Sequence, residues 1–198
     1  MRIVVVTGGI GSGKSAFCHH LALKGIPVYD CDSRAKSLYS DHPELIDKIE
    51  KELGFVLKTA SGAINKKLIA DIIFSDKIAL EKVESIVHPA VFHDFIDWCA
   101  DKERKGYDTV IMESAVPFDR PFFLEVKAYK VLIVSNQDLR IKRVMQRDGA
   151  SSIDVLKRIE NQYFDKNKAD FVIENNDKLE DLFNKADEFY EHLKDIKI

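Results

Sequence analysis

The chain has 198 residues, 45% of them hydrophobic and 32% charged, with nine glycines and five prolines, which excludes collagen, low-complexity sequence and wholesale disorder. A chain this long buries about 70% of its unfolded surface, enough for one compact domain or one domain with an insertion. The net charge of −3 provides no global basic field for nucleic acid or an anionic membrane, and neither is expected as a partner. Cys18, Cys31 and Cys99 lack the spacing of a disulfide framework or a zinc site and read as small buried hydrophobes. The opening apolar run, Ile3 to Val6, is too short for a signal peptide or a spanning helix, so a cytoplasmic location is expected.

Ile3 to Val6 is a β-branched run closed by Thr7-Gly8-Gly9, the pattern of a parallel strand buried on both faces. A helix follows from Lys14 to Lys24 and is stopped by Gly25-Ile26-Pro27. Ile26 to Tyr29 reads as the second strand. Helical spacing then recurs through Leu45, Ile46, Ile49 and Leu53, through Leu68, Ile69, Ile72 and Ile73, and through Leu80, Val83, Ile86 and Val87. Pro89 is expected to end that helix and start another with the face Phe92, Phe95, Ile96 and Cys99. Thr109 to Met112, Val131 to Val134 and Phe171 to Ile173 supply three further strands, and a last helix carries Leu179, Leu182, Phe183, Ala186, Phe189, Tyr190 and Leu193.

Five short strands separated by helices imply crossover units and one parallel sheet. About 80 residues separate the second strand from the third, against about 30 in a plain crossover unit, so residues 33–105 are expected to form an inserted helical subdomain. Residues 148–169 show weak hydrophobic periodicity and read as a mobile lid. The whole of residues 1–198 is then one domain.

Gly8-Gly9-Ile10-Gly11-Ser12-Gly13-Lys14-Ser15 fits the phosphate-binding P-loop pattern and lies between a strand and a helix. Glycines let successive backbone N–H groups turn inward around a phosphate, and the helix N-terminus adds partial positive charge. Gly9, Ile10, Gly11, Ser12, Gly13, Lys14, Ser15 and Ala16 are therefore the expected ATP-binding residues. Lys14 is suited to the β and γ phosphates, and the Ser15 hydroxyl to Mg²⁺. No glycine in the chain has an aspartate three positions before it, which disfavours a guanine-nucleotide switch. The size suits a small-molecule kinase rather than a motor.

A kinase needs a base for the acceptor hydroxyl. Asp30 and Asp32 follow the second strand on the edge where open α/β sheets bind ligand, and in an extended conformation they face the same way. Asp32 also suits a helix cap before Ser33-Arg34-Ala35. Glu113, at the end of the third strand, is placed for a Mg²⁺-side carboxylate, and equally for an ordinary strand-end charge. Arg140, Arg143 and Arg147 share one helix face and form either a cationic row for a triphosphate or a solvated face.

These motifs resemble the dephospho-CoA kinase family. The wording Thr7 to Ser15 is similar to that family's P-loop, and Asp30-Cys31-Asp32-Ser33-Arg34-Ala35 to its D-A-D-x-x-A. Gly62 to Ile69 with Ile73-Phe74, His88-Pro89, Lys142-Arg143 to Arg147-Asp148, Arg158-Ile159 to Gln162, and Ala169-Asp170 to Asn175-Asn176 match further family motifs in order. The chain departs from the family's pattern at Glu113 to Asp119, where the proline and acids differ, at Lys66 in place of an arginine, and in a shorter stretch between Gln162 and Ala169.

The resemblance implies an α/β P-loop kinase fold: a five-stranded parallel sheet flanked by helices, with an inserted helical acceptor-binding subdomain and a lid. It implies Mg²⁺- and ATP-dependent phosphorylation of the 3′-hydroxyl of dephospho-CoA, the last step of coenzyme A synthesis. In that reading Asp32 is the base, Lys14, Arg143 and Arg147 neutralise the transferring phosphoryl, and Asn175 and Asn176 lie at the adenine end. Asp30, Lys66, His88 and Glu113 serve the acceptor. A P-loop kinase for another small acceptor such as a nucleoside or nucleotide, and a non-catalytic ATP sensor, remain alternatives.

Overall fold

The structure is a computed structural model and describes residues 1–59, 64–116, 118 and 126–195, with the side chains of Lys66 and Phe74 outside the described set. Gly62, Ala63, Pro117 and Asp119, on which part of the family likeness rests, also lie outside the described residues. The chain divides into two compact units, one of residues 1–30 and 99–198, the other of residues 31–98.

The first unit holds the sheet. Strands β1 (Arg2–Thr7), β2 (Val28–Asp30), β3 (Thr109–Glu113), β4 (Tyr129–Val134) and β5 (Phe171–Glu174) lie in the order β2-β3-β1-β4-β5. All four pairings are parallel. Alternate residues of the central strands face opposite layers, and both sets are buried. Val4, Val6, Ile111, Val131 and Ile133 pack with Phe17 and Leu21 of α1 (Lys14–Leu23) and with Leu182, Ala186, Phe189 and Leu193 of the C-terminal helix. Val5, Met112 and Leu132 point the other way and are at most 2% exposed. Burial on both faces is why these strands read as continuous apolar runs rather than alternating ones. Ile26 and Pro27 precede β2, which is shorter than the sequence reading.

Chain order reverses at β1. After β1 the chain fills positions to one side and then crosses to β4 and β5 on the other, so the loop after β1 opens at the switch point where such sheets bind ligands. Register completes the placement: Val6 pairs with Glu113, and Asp30 also pairs with Glu113, which puts both carboxylates at the carboxyl edge beside that loop.

The described part of residues 31–98 is mostly helical: α2 (Cys31–Asp41), α3 (Pro43–Leu53), α4 (Lys66–Ser75) and most of α5 (Lys77–Arg104). The amphipathic α3 starts on Pro43 and ends at Gly54, whose φ of 73° suits a glycine C-cap. Within this unit Arg34 of α2 and Asp94 of α5 form a two-pronged ion pair at 2.9 and 2.5 Å.

Pro89 does not divide α5, contrary to the sequence expectation. One proline removes a single backbone hydrogen bond, whereas the helix keeps its buried row Ala79, Val83, Val87, Val91, Phe95 and Cys99 on either side of it. Strict four-residue spacing drifts by about 40° per step around a 3.6-residue helix. The buried stripe therefore winds, and the sequence reading chose Ile96, which is 41% exposed.

Helix α6 (Gln137–Asp148) is followed by α7 (Ser152–Glu160), a 3₁₀ turn (Lys166–Lys168), β5 and α8 (Leu179–Asp195). The segment read as weakly periodic contains an ordinary amphipathic helix: α7 buries Val155 and Ile159 against Val144 of α6, and the Ser151 hydroxyl caps its start at Asp154 N. With nine residues it shows only two turns of its stripe, too few to stand out in the sequence. Leu179 opens α8 but is exposed, so the stripe begins at Leu182.

Candidate active site

The loop from Gly8 to Gly13 is shaped by backbone that glycine alone adopts easily. Gly11 and Gly13 have φ of 76° and 100°, and Ser12 N donates to Gly9 O at 3.0 Å to close the turn. Close approach reinforces the requirement. A Cβ on Gly13 would stand 2.2 Å from Asn175 Nδ2, and one on Gly11 would stand 2.6 Å from Arg140 O. Helix α1 starts at Lys14, so the free N–H groups of its first turn and the loop amides face the same space. Lys14 makes no ion pair with a described residue, which leaves its ammonium for an incoming anion.

Ser15 Oγ donates to Glu113 Oε1 at 2.5 Å, and Glu113 is only 8% exposed. With Asp30 in register beside Glu113, the edge of the sheet presents hydroxyl and carboxylate oxygens, the donor set that suits Mg²⁺. Among the described residues no cluster of three His, Cys, Asp or Glu side chains could hold a metal by itself. The combination fits an ion that takes a minority of its ligands from protein and the rest from phosphate and water. Cys18 lies beneath this edge. Burial pushes its thiol well up, with the charges of Glu113 and Asp30 adding to the rise and Lys14 opposing it, so the sulfur stays protonated and inert.

Asp30 and Asp32 do not share an extended face. The strand ends at Asp30 and α2 begins at Cys31, so Asp32 stands exposed in the first turn of a helix, where its carboxylate is favoured by the helix dipole. It is not the residue before the helix, as the cap reading required.

The three arginines of α6 part company. Arg140 Nε donates to Ile10 O at 2.8 Å, on the outer side of the phosphate loop. Arg143 donates to Ser135 Oγ at 3.0 Å, to Asn175 O at 3.1 Å and to Asp177 O at 3.3 Å, tying the loops after β4 and β5 together. Arg147 pairs with Asp148 through Nε at 2.6 Å and Nη2 at 2.8 Å, at the surface. A shared helix face sets their direction from the axis but not the neighbour each one meets.

Asn175 is 5% exposed and its amide is committed: Nδ2 donates to Ser12 O at 2.8 Å and Oδ1 accepts from Arg143 at 3.4 Å. It braces the phosphate loop from behind, its side-chain amide engaged by Ser12 and Arg143. Asn176 Oδ1 accepts from Asn136 N at 2.8 Å and joins the same pair of loops. His88 is partly buried in the middle of α5, and Lys66 is the first residue of α4, behind an Asn65 side chain that caps Leu68 N. Sequence reasoning missed Gln162 as a site residue: its Oε1 accepts from Ile10 N at 2.8 Å. Its only signal was the spacing Arg158-Ile159 to Gln162.

Comparison with known proteins supplies the family. The profile described as dephospho-CoA kinase matches residues 2–181. A dephospho-CoA kinase of Fusobacterium nucleatum is 34% identical over 199 residues, covering 96% of this chain and 98% of the relative. One from Bacteroides fragilis is 36% identical over 177 residues, covering 86% and 82% respectively. Among solved structures, a Thermus thermophilus protein superposes with a TM-score of 0.77 at 28% identity, covering 97% of each chain. The dephospho-CoA kinase of Campylobacter jejuni reaches a TM-score of 0.62 at 22% identity, covering 98% of each chain, a likeness of fold. A glycine loop at the switch point, a hydroxyl–carboxylate edge beside it and a profile match over nearly the whole chain converge: the chain belongs to the dephospho-CoA kinase family.

Proposed function

We infer that the protein transfers the γ-phosphoryl group of ATP to the 3′-hydroxyl of dephospho-CoA, completing coenzyme A. The observation that carries this reading is the phosphate loop with Ser15 and Glu113 at 2.5 Å beside it, in a chain that the dephospho-CoA kinase profile matches over residues 2–181. The loop amides and Lys14 hold the triphosphate, as a preorganised set of donors aimed at the charge that develops in transfer. Ser15, with Glu113 and Asp30 beside it, would hold Mg²⁺, which when bound supplies charge neutralisation along the phosphates.

Asp32 accepts the proton of the 3′-hydroxyl as that oxygen bonds to the γ-phosphorus. The bond from that phosphorus to the β–γ bridging oxygen breaks and ADP departs. Arg143 and Arg147 serve the phosphoryl charge. The Arg147–Asp148 pair leaves the arginine side chain 62% exposed, and exposed pairs are worth only about 0–1 kcal/mol, so exchanging that carboxylate for a phosphate is inexpensive. Residues 31–98, with His88 and Lys66, are proposed to take the acceptor, and residues 148–169 to act as a lid. None of the three cysteines is joined in a disulfide and all are buried, which supports a reducing, cytoplasmic setting. No helix among the described residues is long and apolar enough to cross a membrane.

The test is a coupled assay with ATP, Mg²⁺ and dephospho-CoA, with the product identified by mass and by its 3′-phosphate. Turnover of a nucleoside or simple nucleotide in preference to dephospho-CoA, or ATP binding without transfer, would overturn the reading.

A further inference from the structure

The tip of the phosphate loop is gripped from outside. Ile10 N donates to Gln162 Oε1 at 2.8 Å, and Ile10 O accepts from Arg140 Nε at 2.8 Å. Arg140 Nη2 also reaches Gln162 Oε1, at 3.5 Å, so one oxygen accepts from both donors. The Ile10 side chain packs on the small core of Val144, Val155 and Ile159. The N–H, the C=O and the side chain of this one loop residue are therefore all held by residues of the 140–162 segment. The guanidinium lies close against the loop: a Cβ on Gly9 would lie 2.2 Å from Arg140 Nη2, so a side chain there would push the arginine aside.

We propose that Arg140 and Gln162 are positioning residues for ATP binding, a clasp that sets the peptide units on both sides of Ile10 and couples the phosphate loop to helix α7. The proposal rests on the reading of this loop as the triphosphate site. Two features make the clasp more than a brace. First, Ile10 O belongs to the same peptide unit as Gly11 N–H. A guanidinium on the carbonyl polarises that unit and strengthens the amide as a donor on the other side. Secondly, the guanidinium is half-buried and its partners among the described residues are neutral oxygens, with no carboxylate. Burial alone pulls its pKa down, which marks a cation that an incoming anion stabilises. Since Gln162 lies just beyond α7, nucleotide phosphates that order the loop also restrain that helix.

The experiment compares wild type, Arg140→Ala, Arg140→Lys, Gln162→Ala and the double alanine variant. It measures affinity for a fluorescent ATP analogue without acceptor, kcat and KM for both substrates, melting temperature, and hydrogen exchange in residues 152–160 with and without ATP. Each alanine variant is expected to weaken analogue binding about tenfold, the scale of one lost hydrogen bond to a charged group. The double variant should lose less than the product of the two, because both act on one residue. Arg140→Lys should recover part of the loss, since an ammonium can serve Ile10 O but lacks the fork that also reaches Gln162. The KM for the acceptor should stay within about twofold. ATP alone should slow exchange in 152–160 of wild type, and the double variant should lose that response.

Unchanged analogue affinity in folded single variants, with or without a lower melting temperature, would reduce the pair to a structural brace and overturn the proposal, as would multiplicative effects in the double variant. Wild type that shows the full pattern in analogue binding but leaves dephospho-CoA untouched would sink the proposed reaction and leave the clasp standing.

Discussion

At the scale of single residues, the site separates groups that meet the nucleotide from groups that hold them in place. Lys14, unpaired among the described residues, is proposed for the first class. Lys14→Ala should lower kcat by about 10²-fold or more while the melting temperature stays near that of wild type, because a charge aimed at the phosphates is lost. The two aspartates differ in setting. Asp32→Asn keeps shape but removes the basic oxygen, so kcat should fall about 10²-fold with ATP-analogue affinity preserved. Asp30→Asn, at the Glu113 edge, should instead raise the Mg²⁺ concentration needed for half-maximal rate. A large kcat loss in Asp30→Asn beside a mild one in Asp32→Asn would move the base two residues upstream.

Asn175 belongs to the second class. Asn175→Ala strips Ser12 O of its buried donor and Arg143 of an acceptor, which should cost about 1–3 kcal/mol of stability and weaken ATP binding together. Urea unfolding and analogue titration on the same preparation check both effects. Weaker ATP binding without loss of stability would return Asn175 to the ligand side.

At the scale of elements, helix α5 runs through Pro89 because five buried residues of the row Ala79 to Phe95 outweigh one missing backbone hydrogen bond. The proline still leaves the Ser85 carbonyl without its helical donor. Pro89→Ala should therefore raise stability by about 1–3 kcal/mol, as expected for removing proline from a helix interior. A lower urea midpoint in that variant would show that the helix is bent around the proline to a shape its packing requires. The same contrast governs α7, a short helix whose stability comes from Val155 and Ile159 on Val144 and not from length.

At the scale of the whole molecule, stability against pH follows from two sets of groups. Hydrogen bonds from Lys105, Arg147 and Lys24 hold the carboxyls of Asp101, Asp148 and Asp187 below their ordinary 3.8, with His20 adding to the effect on Asp187. A depressed carboxyl contributes stability that is present above its unfolded pKa and is lost as pH falls below it. All three are at least partly exposed, so the contribution is small and salt reduces it. Burial pushes the thiol of Cys18 well above its ordinary 9.0 and that of Cys99 up to about 12. A raised pKa contributes stability that is present below 9.0 and is lost as pH rises beyond it. The urea midpoint should be level from about pH 5 to 8.5 and fall on both sides. Molar salt should shrink the acid limb and leave the alkaline one, and Cys18→Ala should delay the alkaline fall. An alkaline limb that salt abolishes would overturn the assignment to buried thiols.

The phosphate loop, the five strands, the helix-rich stretch between β2 and β3 and the family are legible in the chain, because each is written in short runs of neighbouring residues. A glycine turn between an apolar run and a helix needs no distant partner to be recognised, and strands buried on both faces announce themselves as β-branched runs. What each polar side chain touches depends on the folded packing. Periodicity put Arg140, Arg143 and Arg147 on one face, yet one holds Ile10, one ties two loops and one pairs with Asp148. The turn from strand to helix at Cys31, the continuity of α5 through Pro89 and the commitment of Asn175 to Ser12 were likewise hidden. The reason is physical. Backbone pattern is set by local sterics and the period of the apolar residues, whereas a hydrogen bond between residues 152 or 163 positions apart exists only once packing has brought its partners together.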